Sequence, residues 1–357
     1  MRILVVMENV ADKKAFSGGR YHAWLVARAL VSLGHKVTVL TGRVPVWMKE
    51  LPGKAPDVRV VRPYLTAKSC RLRSKDKFDL VCVFPLKAIP WGVKLAKELG
   101  APAFSWIFDP FLMITQYAGD IAQRMGYNVT QRRALSESTR LITSTAFSVP
   151  FVRSWIGANV NVDVLHPCVN SRVADRVVPQ HTSTFDVVAI TRLTGHKRPD
   201  DVFRAFAALA RDRQLKARLL ILSGFEAGGL TRLAKKHHVA GSTVFRAKCS
   251  ETEKWQLLKG ASLVIAGSTY EGFGLWLAEA IYAAVPFVVH DFPIFREIAY
   301  GGGGWFAEFA NSRDFVRCVH EAAHSDLRGQ RMHLTSIAER YGFEAFKERV
   351  RGLIAHV

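Results

Sequence analysis

Ser268-Thr269-Tyr270-Glu271-Gly272-Phe273-Gly274-Leu275-Trp276-Leu277-Ala278-Glu279-Ala280-Ile281 carries two glutamates eight positions apart. The first lies beside a Gly-Phe-Gly turn, and the second falls within a stretch that reads as a helix. Upstream, Ser262 to Ser268 includes a short apolar run of buried-strand type; downstream, Phe287 to His290 is another, entered through Pro286. The order is therefore strand, glycine turn, helix, strand. In such a unit the helix N-terminus faces the carboxyl edge of the sheet, where its N–H groups and positive dipole end suit an anion such as a diphosphate. Gly272 and Gly274 carry no Cβ and permit close backbone approach. Glu279 lies about two turns on, so it is expected on nearly the same side as Glu271.

A second segment shares this chemistry. Thr191-Arg192-Leu193-Thr194-Gly195-His196-Lys197 follows the apolar run Asp186–Ile190 and precedes a helix expected over Asp200–Ala210. Arg192 offers a planar fork of donors, and Lys197 a compact point charge. Two cations in a strand-to-helix loop can stabilise negative charge growing on a leaving phosphate.

With both segments in hand, the chain resembles the retaining family-four (group 1) glycosyltransferases, which have the GT-B fold. The residues that carry the resemblance are Arg192 with Lys197, Ser268–Gly274, Leu277-Ala278-Glu279-Ala280, Pro286 and His290-Asp291. It implies an α/β protein of two Rossmann-like domains facing across a cleft. It also implies transfer of a hexose from a nucleotide diphosphate sugar to an acceptor hydroxyl, with retention at the anomeric carbon. Arg192, Lys197 and Glu271 become the catalytic set, and Gly272, Phe273, Gly274 and Leu275 contact the donor. Glu279 takes the ribose hydroxyls. Lys248 falls in the turn expected against the base, and Gly18 with Gly19 in the N-domain loop that faces the diphosphate. Trp276 and Ala284 stand where the family usually has proline and glycine, and Trp276 is expected to narrow the sugar pocket. The family often places a His-Asp pair near 108–109; here the residues are Phe108 and Asp109. A phenyl ring cannot exchange a proton, so no catalytic histidine is carried over. Asp109 is left as an acceptor-side contact or a cap of the next helix.

A chain of 357 residues is long enough for two cores. The expected division is an acceptor-side domain over 1–170, a nucleotide-sugar domain over 185–340, and a last helix within 341–357 packing back towards the N-terminal domain. The polar, Pro179-containing stretch 171–184 is read as the linker. Strand Arg2–Met7, a loop with Gly18-Gly19, a helix from about Tyr21 to Leu33 closed by Gly34, and strand Lys36–Thr41 make the opening βαβ unit. It has no G-x-G-x-x-G, which argues against a dinucleotide site.

Five scattered cysteines without a C-x-x-C pair argue against a disulfide framework and a cysteine zinc site. No D-x-D motif is present, so transfer is expected to need neither metal nor cofactor. No signal peptide is expected, and no uncharged apolar run approaches the ~18 residues of a membrane span. The net charge of +20 is uneven: residues 1–170 hold 24 Lys and Arg against 11 Asp and Glu. Lys68, Arg71, Arg73, Lys75 and Lys77 cluster near the apolar Val46-Trp47-Met48. This is read either as a dock for an anionic membrane surface or as a solvated loop. The expected partners are a nucleotide-sugar donor and an acceptor glycan or glycolipid, for a protein in the cytoplasm or on the inner face of the membrane. No specific nucleic acid is expected, because no binding module with interleaved aromatics is recognisable. A GT-B sugar-nucleotide epimerase and a non-catalytic sugar-nucleotide or nucleic-acid-binding protein remain open alternatives.

Overall fold

The computed structural model describes residues 1–7, 18–60, 72, 77–119, 128–179, 182–223, 228–247, 249–355 and 357. It divides into two compact units, one of Met1–Arg172 with Gly342–Val357 and one of Val173–Tyr341.

The first unit is built on seven parallel strands: β1 Arg2–Met7, β2 Lys36–Thr41, β3 Asp57–Val60, β4 Leu80–Phe84, β5 Ala103–Ile107, β6 Arg140–Thr143 and β7 Val162–Val164. Their order across the sheet is β3-β2-β1-β4-β5-β6-β7. Continuous apolar runs such as Leu80-Val81-Cys82-Val83-Phe84 are buried throughout, as expected for a sheet covered on both faces. The helix Gly18–Ser32 is buried over every residue from Tyr21 to Leu30 and packs against the last helix, Phe343–Ile354. Trp24 and Leu25 fill its interior side.

Gly18 and Gly19 were expected in a loop; they form the first turn of this helix instead. The cause is packing. A Cβ on Gly19 would stand 2.6 Å from the Phe108 ring, so glycine lets the helix start lie directly on that ring. Asp109 does not occupy the cap of the helix Phe111–Tyr117, because Pro110 holds the N-cap position.

The second unit holds six parallel strands: β8 Phe185–Ile190, β9 Ala217–Ser223, β10 Thr243–Ala247, β11 Leu263–Ala266, β12 Phe287–His290 and β13 Gly304–Ala307. Their order is β10-β9-β8-β11-β12-β13. The expected linker is partly structured, since a short helix spans Ser171–Ala174. Thr182 and Thr184 then hydrogen-bond Asp186 at the start of β8. Gly304 opens β13. The amphipathic helices Ser312–His324 and Arg328–Ala338 complete this unit.

Arg28 shows how a buried cation is made tolerable. Its guanidinium donates to the carbonyls of Leu51 at 3.1 Å, Gly53 at 2.7 Å and Met48 at 2.7 Å, pinning the segment Val46–Gly53 to the first helix. Burial, and then the nearby Arg172, lower its pKa. Arg28→Met should leave these carbonyls without their donor and cost about 2–3 kcal/mol. That corresponds to a fall of roughly 5–10 °C in the melting point of this unit, read by calorimetry. An unchanged melting point would show that the segment is held by other contacts.

Candidate active site

The strand order of the second unit reverses between β8 and β11, which are neighbours in the sheet though far apart in sequence. In open parallel sheets the carboxyl ends of strands at such a reversal splay apart and leave a crevice. The loop after β8 carries Thr191–Arg198, and the loop after β11 carries Gly267–Gly274. Both motifs therefore emerge at one place. Their backbones touch: Thr269 N–H donates to the His196 carbonyl at 2.8 Å. A Cβ on Gly267 would stand 2.7 Å from the Arg198 carbonyl oxygen, so the approach requires glycine there. Gly274, at φ +93°, turns the chain into the helix Leu275–Tyr282 as its N-cap.

The side chains meet across the same seam. Lys197 Nζ pairs with Glu271 Oε1, and the Trp276 indole N–H donates to that oxygen at 2.8 Å. The side chains of Lys197 and Glu271 are only 11% and 13% exposed. Burial alone would raise the Glu271 carboxyl, but Lys197, the Trp276 N–H and His196 hold it below the usual glutamate range. Trp276, one of the two departures from the family pattern, thus reaches the site through a hydrogen bond while its ring packs edge-on against Phe295. Ala284, the other, sits at φ +52°, a conformation that suits glycine and strains an L-residue.

Glu279 has its own lysine. Lys254, from the helix Glu251–Gly260, donates to Glu279 at 2.6 Å and to Glu251 at 2.7 Å. Burial raises the Glu279 carboxyl; Lys254 opposes this, and Glu251 adds to it. Lys254 and Glu251 escaped the sequence reading because their i,i+3 spacing looks like an ordinary solvated helix face. Gly267 escaped because nothing local shows which strand lies beside it. Arg192 is exposed, and its carbonyl accepts from Thr194 N–H at 2.9 Å. The Phe273 side chain is buried against Tyr341, so it can offer the site only its backbone. Lys248 lies outside the described residues, as do Lys68, Arg71, Arg73 and Lys75 of the basic cluster.

Gly18, Gly19 and Asp109 belong to the first unit. Phe108 and Asp109 directly follow β5, and both are half-buried. Phe108 packs edge-on against His22 at 5.4 Å between ring centroids. Burial, and then Arg349, push His22 down to about 3, so it stays neutral near physiological pH. A shallow hollow of about 520 Å³ beside the phosphate-type loop is lined by Thr194, Arg198, Asp200 and Arg204 among others. Arg192, Lys197, Glu271 and Glu279 do not line it. The convergence of buried charges, rather than this hollow, marks the site.

Residues 173–340 match the family described as glycosyl transferases group 1. That stretch is a domain of the group 1 type. No curated protein matches the chain in sequence. In fold, the whole chain is similar to a sucrose-phosphate synthase from Thermosynechococcus elongatus, with TM-score 0.79, 12% identity, and 99% and 98% of the two chains covered. It is also similar to Anabaena HepE in complex with UDP and glucose, at TM-score 0.76 and 14% identity over the full length of both chains. WaaG, a glycosyltransferase involved in lipopolysaccharide biosynthesis, superposes at TM-score 0.70 and 15% identity, covering 99% and 100% of the two chains. The fold of the chain is GT-B.

Removing one partner of the buried pair should be costly. Lys197→Met leaves Glu271 desolvated and unpaired, a loss of about 3–5 kcal/mol at neutral pH. The sign of the pH dependence should also invert. In the native protein the depressed Glu271 contributes stability above its unfolded value, ordinarily near 4.5, and loses it as pH falls through the folded value. In Lys197→Met the carboxyl should titrate above its unfolded value, so that stability falls as pH rises. Chemical denaturation across pH 4–8 reads this, and Lys197→Met/Glu271→Gln should recover most of the loss. Parallel pH profiles for wild type and Lys197→Met would overturn this account of the pair.

Proposed function

We propose that the protein is a retaining glycosyltransferase that moves a hexose from a nucleoside-diphosphate sugar to an acceptor hydroxyl. The observation that carries this reading is the buried Lys197–Glu271 pair at the strand-order reversal, with Glu279 paired to Lys254 on the helix that follows and Arg192 exposed on the loop after β8. Anabaena HepE, similar in fold, has been captured with UDP and with UDP-glucose, which supports a nucleotide-sugar donor.

In this mechanism the diphosphate lies against Arg192 and Lys197. The bond between the anomeric carbon and the β-phosphate oxygen breaks, its electron pair passes to that oxygen, and the two cations stabilise the charge that develops. The acceptor hydroxyl gives its proton to the departing phosphate and attacks from the same face, which retains configuration. Glu271 holds distal sugar hydroxyls, and Glu279 holds the ribose. Phe108 has no proton to exchange, so the reaction relies on the phosphate as base. Cationic side chains take the place of a divalent ion, and turnover is expected to survive EDTA.

The acceptor is a hydroxyl on a lipid-linked or cell-surface glycan. The folds of WaaG and of WaaB, a lipopolysaccharide outer core galactosyltransferase, support that class, as does the positive charge of the first 170 residues. No helix among the described residues is long and apolar enough to cross a membrane. We place the protein in the cytoplasm, docked at the inner face of an anionic membrane through its basic cluster. Flotation with acidic liposomes at low salt tests that placement, and a protein left unbound would exclude it.

Transfer from UDP-, GDP- and ADP-sugars, assayed with and without glycan acceptors and with EDTA, tests the activity. Acceptor-dependent transfer from one donor class, unaffected by chelation, is the expected result. An altered free sugar or sugar nucleotide released without acceptor would instead identify an epimerase. Nucleotide affinity as a function of pH tests the ribose contact separately. Protonation of Glu279 removes a hydrogen-bond acceptor, so affinity should weaken on the acid side of its titration. Glu251→Gln removes a like charge and should move that acid limb to lower pH. Lys254→Met removes the opposing cation and should move it higher. Identical profiles in all three proteins would remove Glu279 from the ribose site.

A further inference from the structure

Outside the donor site, three metal-ligating side chains meet at the far edge of the second unit. His320 and His324 lie one turn apart on the helix Ser312–His324, with their rings stacked at 4.3 Å between centroids. Asp212 comes from the turn that follows the helix Pro199–Ala210, which packs on the helix Ser312–His324. One donor atom from each residue lies within 4.8 Å of the other two. The His324 ring is already oriented for coordination. Its Nδ1 bonds the His320 carbonyl at 2.8 Å, and its Nε2 faces Asp212 Oδ2 at 2.7 Å. With Nδ1 as the donor to that carbonyl, Nε2–H donates directly to Asp212, and a metal ion would take the place of that proton between the ring and the carboxylate. Backbone bonding of the second ring nitrogen is the usual way in which a metal-bound histidine is held.

The geometry points to a surface site for a divalent transition metal, held by His320, His324 and Asp212, with water completing a tetrahedral shell. Two imidazoles and one carboxylate suit Zn²⁺ rather than Mg²⁺ or Ca²⁺, which favour all-oxygen shells. Ligand atoms around zinc stand about 3.3 Å apart, so closure needs rotamer shifts of roughly an ångström in exposed side chains. The ion would clamp the turn at Asp212 to the end of the helix Ser312–His324. The helix Pro199–Ala210 runs on the order of 18 Å from the donor loop to the turn that bears Asp212. An ion there cannot touch the reacting atoms, so the site is structural and separate from the transfer chemistry.

Zinc binding to the full-length protein, stripped with chelator and dialysed, tests this by calorimetry. One equivalent of Zn²⁺ should bind, and His320→Ala, His324→Ala and Asp212→Asn should each weaken binding by about tenfold or more. Zinc should also raise the melting temperature of the wild type, and raise it less in each variant. Co²⁺ in place of Zn²⁺ should give the strong visible bands of a four-coordinate ion without a thiolate charge-transfer band. Absence of binding, equal affinity in all three variants, or a thiolate band placing the ion on cysteine would overturn the assignment. Retention of sugar transfer in His320→Ala would separate this site from the donor site, whatever its substrate.

Discussion

The pairing of Lys197 with Glu271 is the constraint on which the second unit turns. It joins two loops that leave adjacent parallel strands, and it does so where water is largely excluded. A buried ion pair of this kind holds only if its geometry is good and its other hydrogen-bonding positions are met. Here Trp276 supplies one such bond to the carboxylate. The backbone contacts of Thr269 and Gly267 with the opposite loop fix the separation from which the two charges reach each other. Moving either strand end would break the pair, so the core of the sheet and the polarity of its edge are specified together.

The second carboxylate is handled differently. Glu279 shares Lys254 with Glu251, so one cation faces two acids in a buried place. Burial drives Glu279 up and Glu251 adds to the rise, whereas Lys197, Trp276 and His196 hold Glu271 down, although both glutamates are buried to a similar degree. Two similar residues on one short motif therefore have different proton affinities, set by their neighbours.

The parts of this design that were legible in the sequence are those written locally. The strand, glycine turn and helix around Glu271 show in the apolar runs and in Gly272 and Gly274, and the same holds for Arg192 and Lys197 between β8 and its helix. Features made by adjacency across the sheet were not legible. Gly267 looks like any strand-end glycine until β8 lies beside it. Lys254 and Glu251 look like surface charges until Glu279 meets them. Gly18 and Gly19 read as a loop because glycine disfavours helices; the Phe108 ring, close to Gly19, explains why they start one. Asp212, His320 and His324 lie more than a hundred residues apart at their widest, and only the packing of two helices brings them together.

The self-paired state of the site has a further consequence, for the entropy of binding. A free lysine side chain loses up to about 2 kcal/mol of rotamer freedom when it is fixed. Lys197 and Lys254 have already lost theirs, because Glu271 and Glu279 hold them in place as the domain folds. On the proposed reading, an incoming diphosphate would meet Lys197 already in position, and the exposed Arg192 would have to be ordered. The domain thus carries in its own stability much of the ordering that a ligand would otherwise have to supply on arrival.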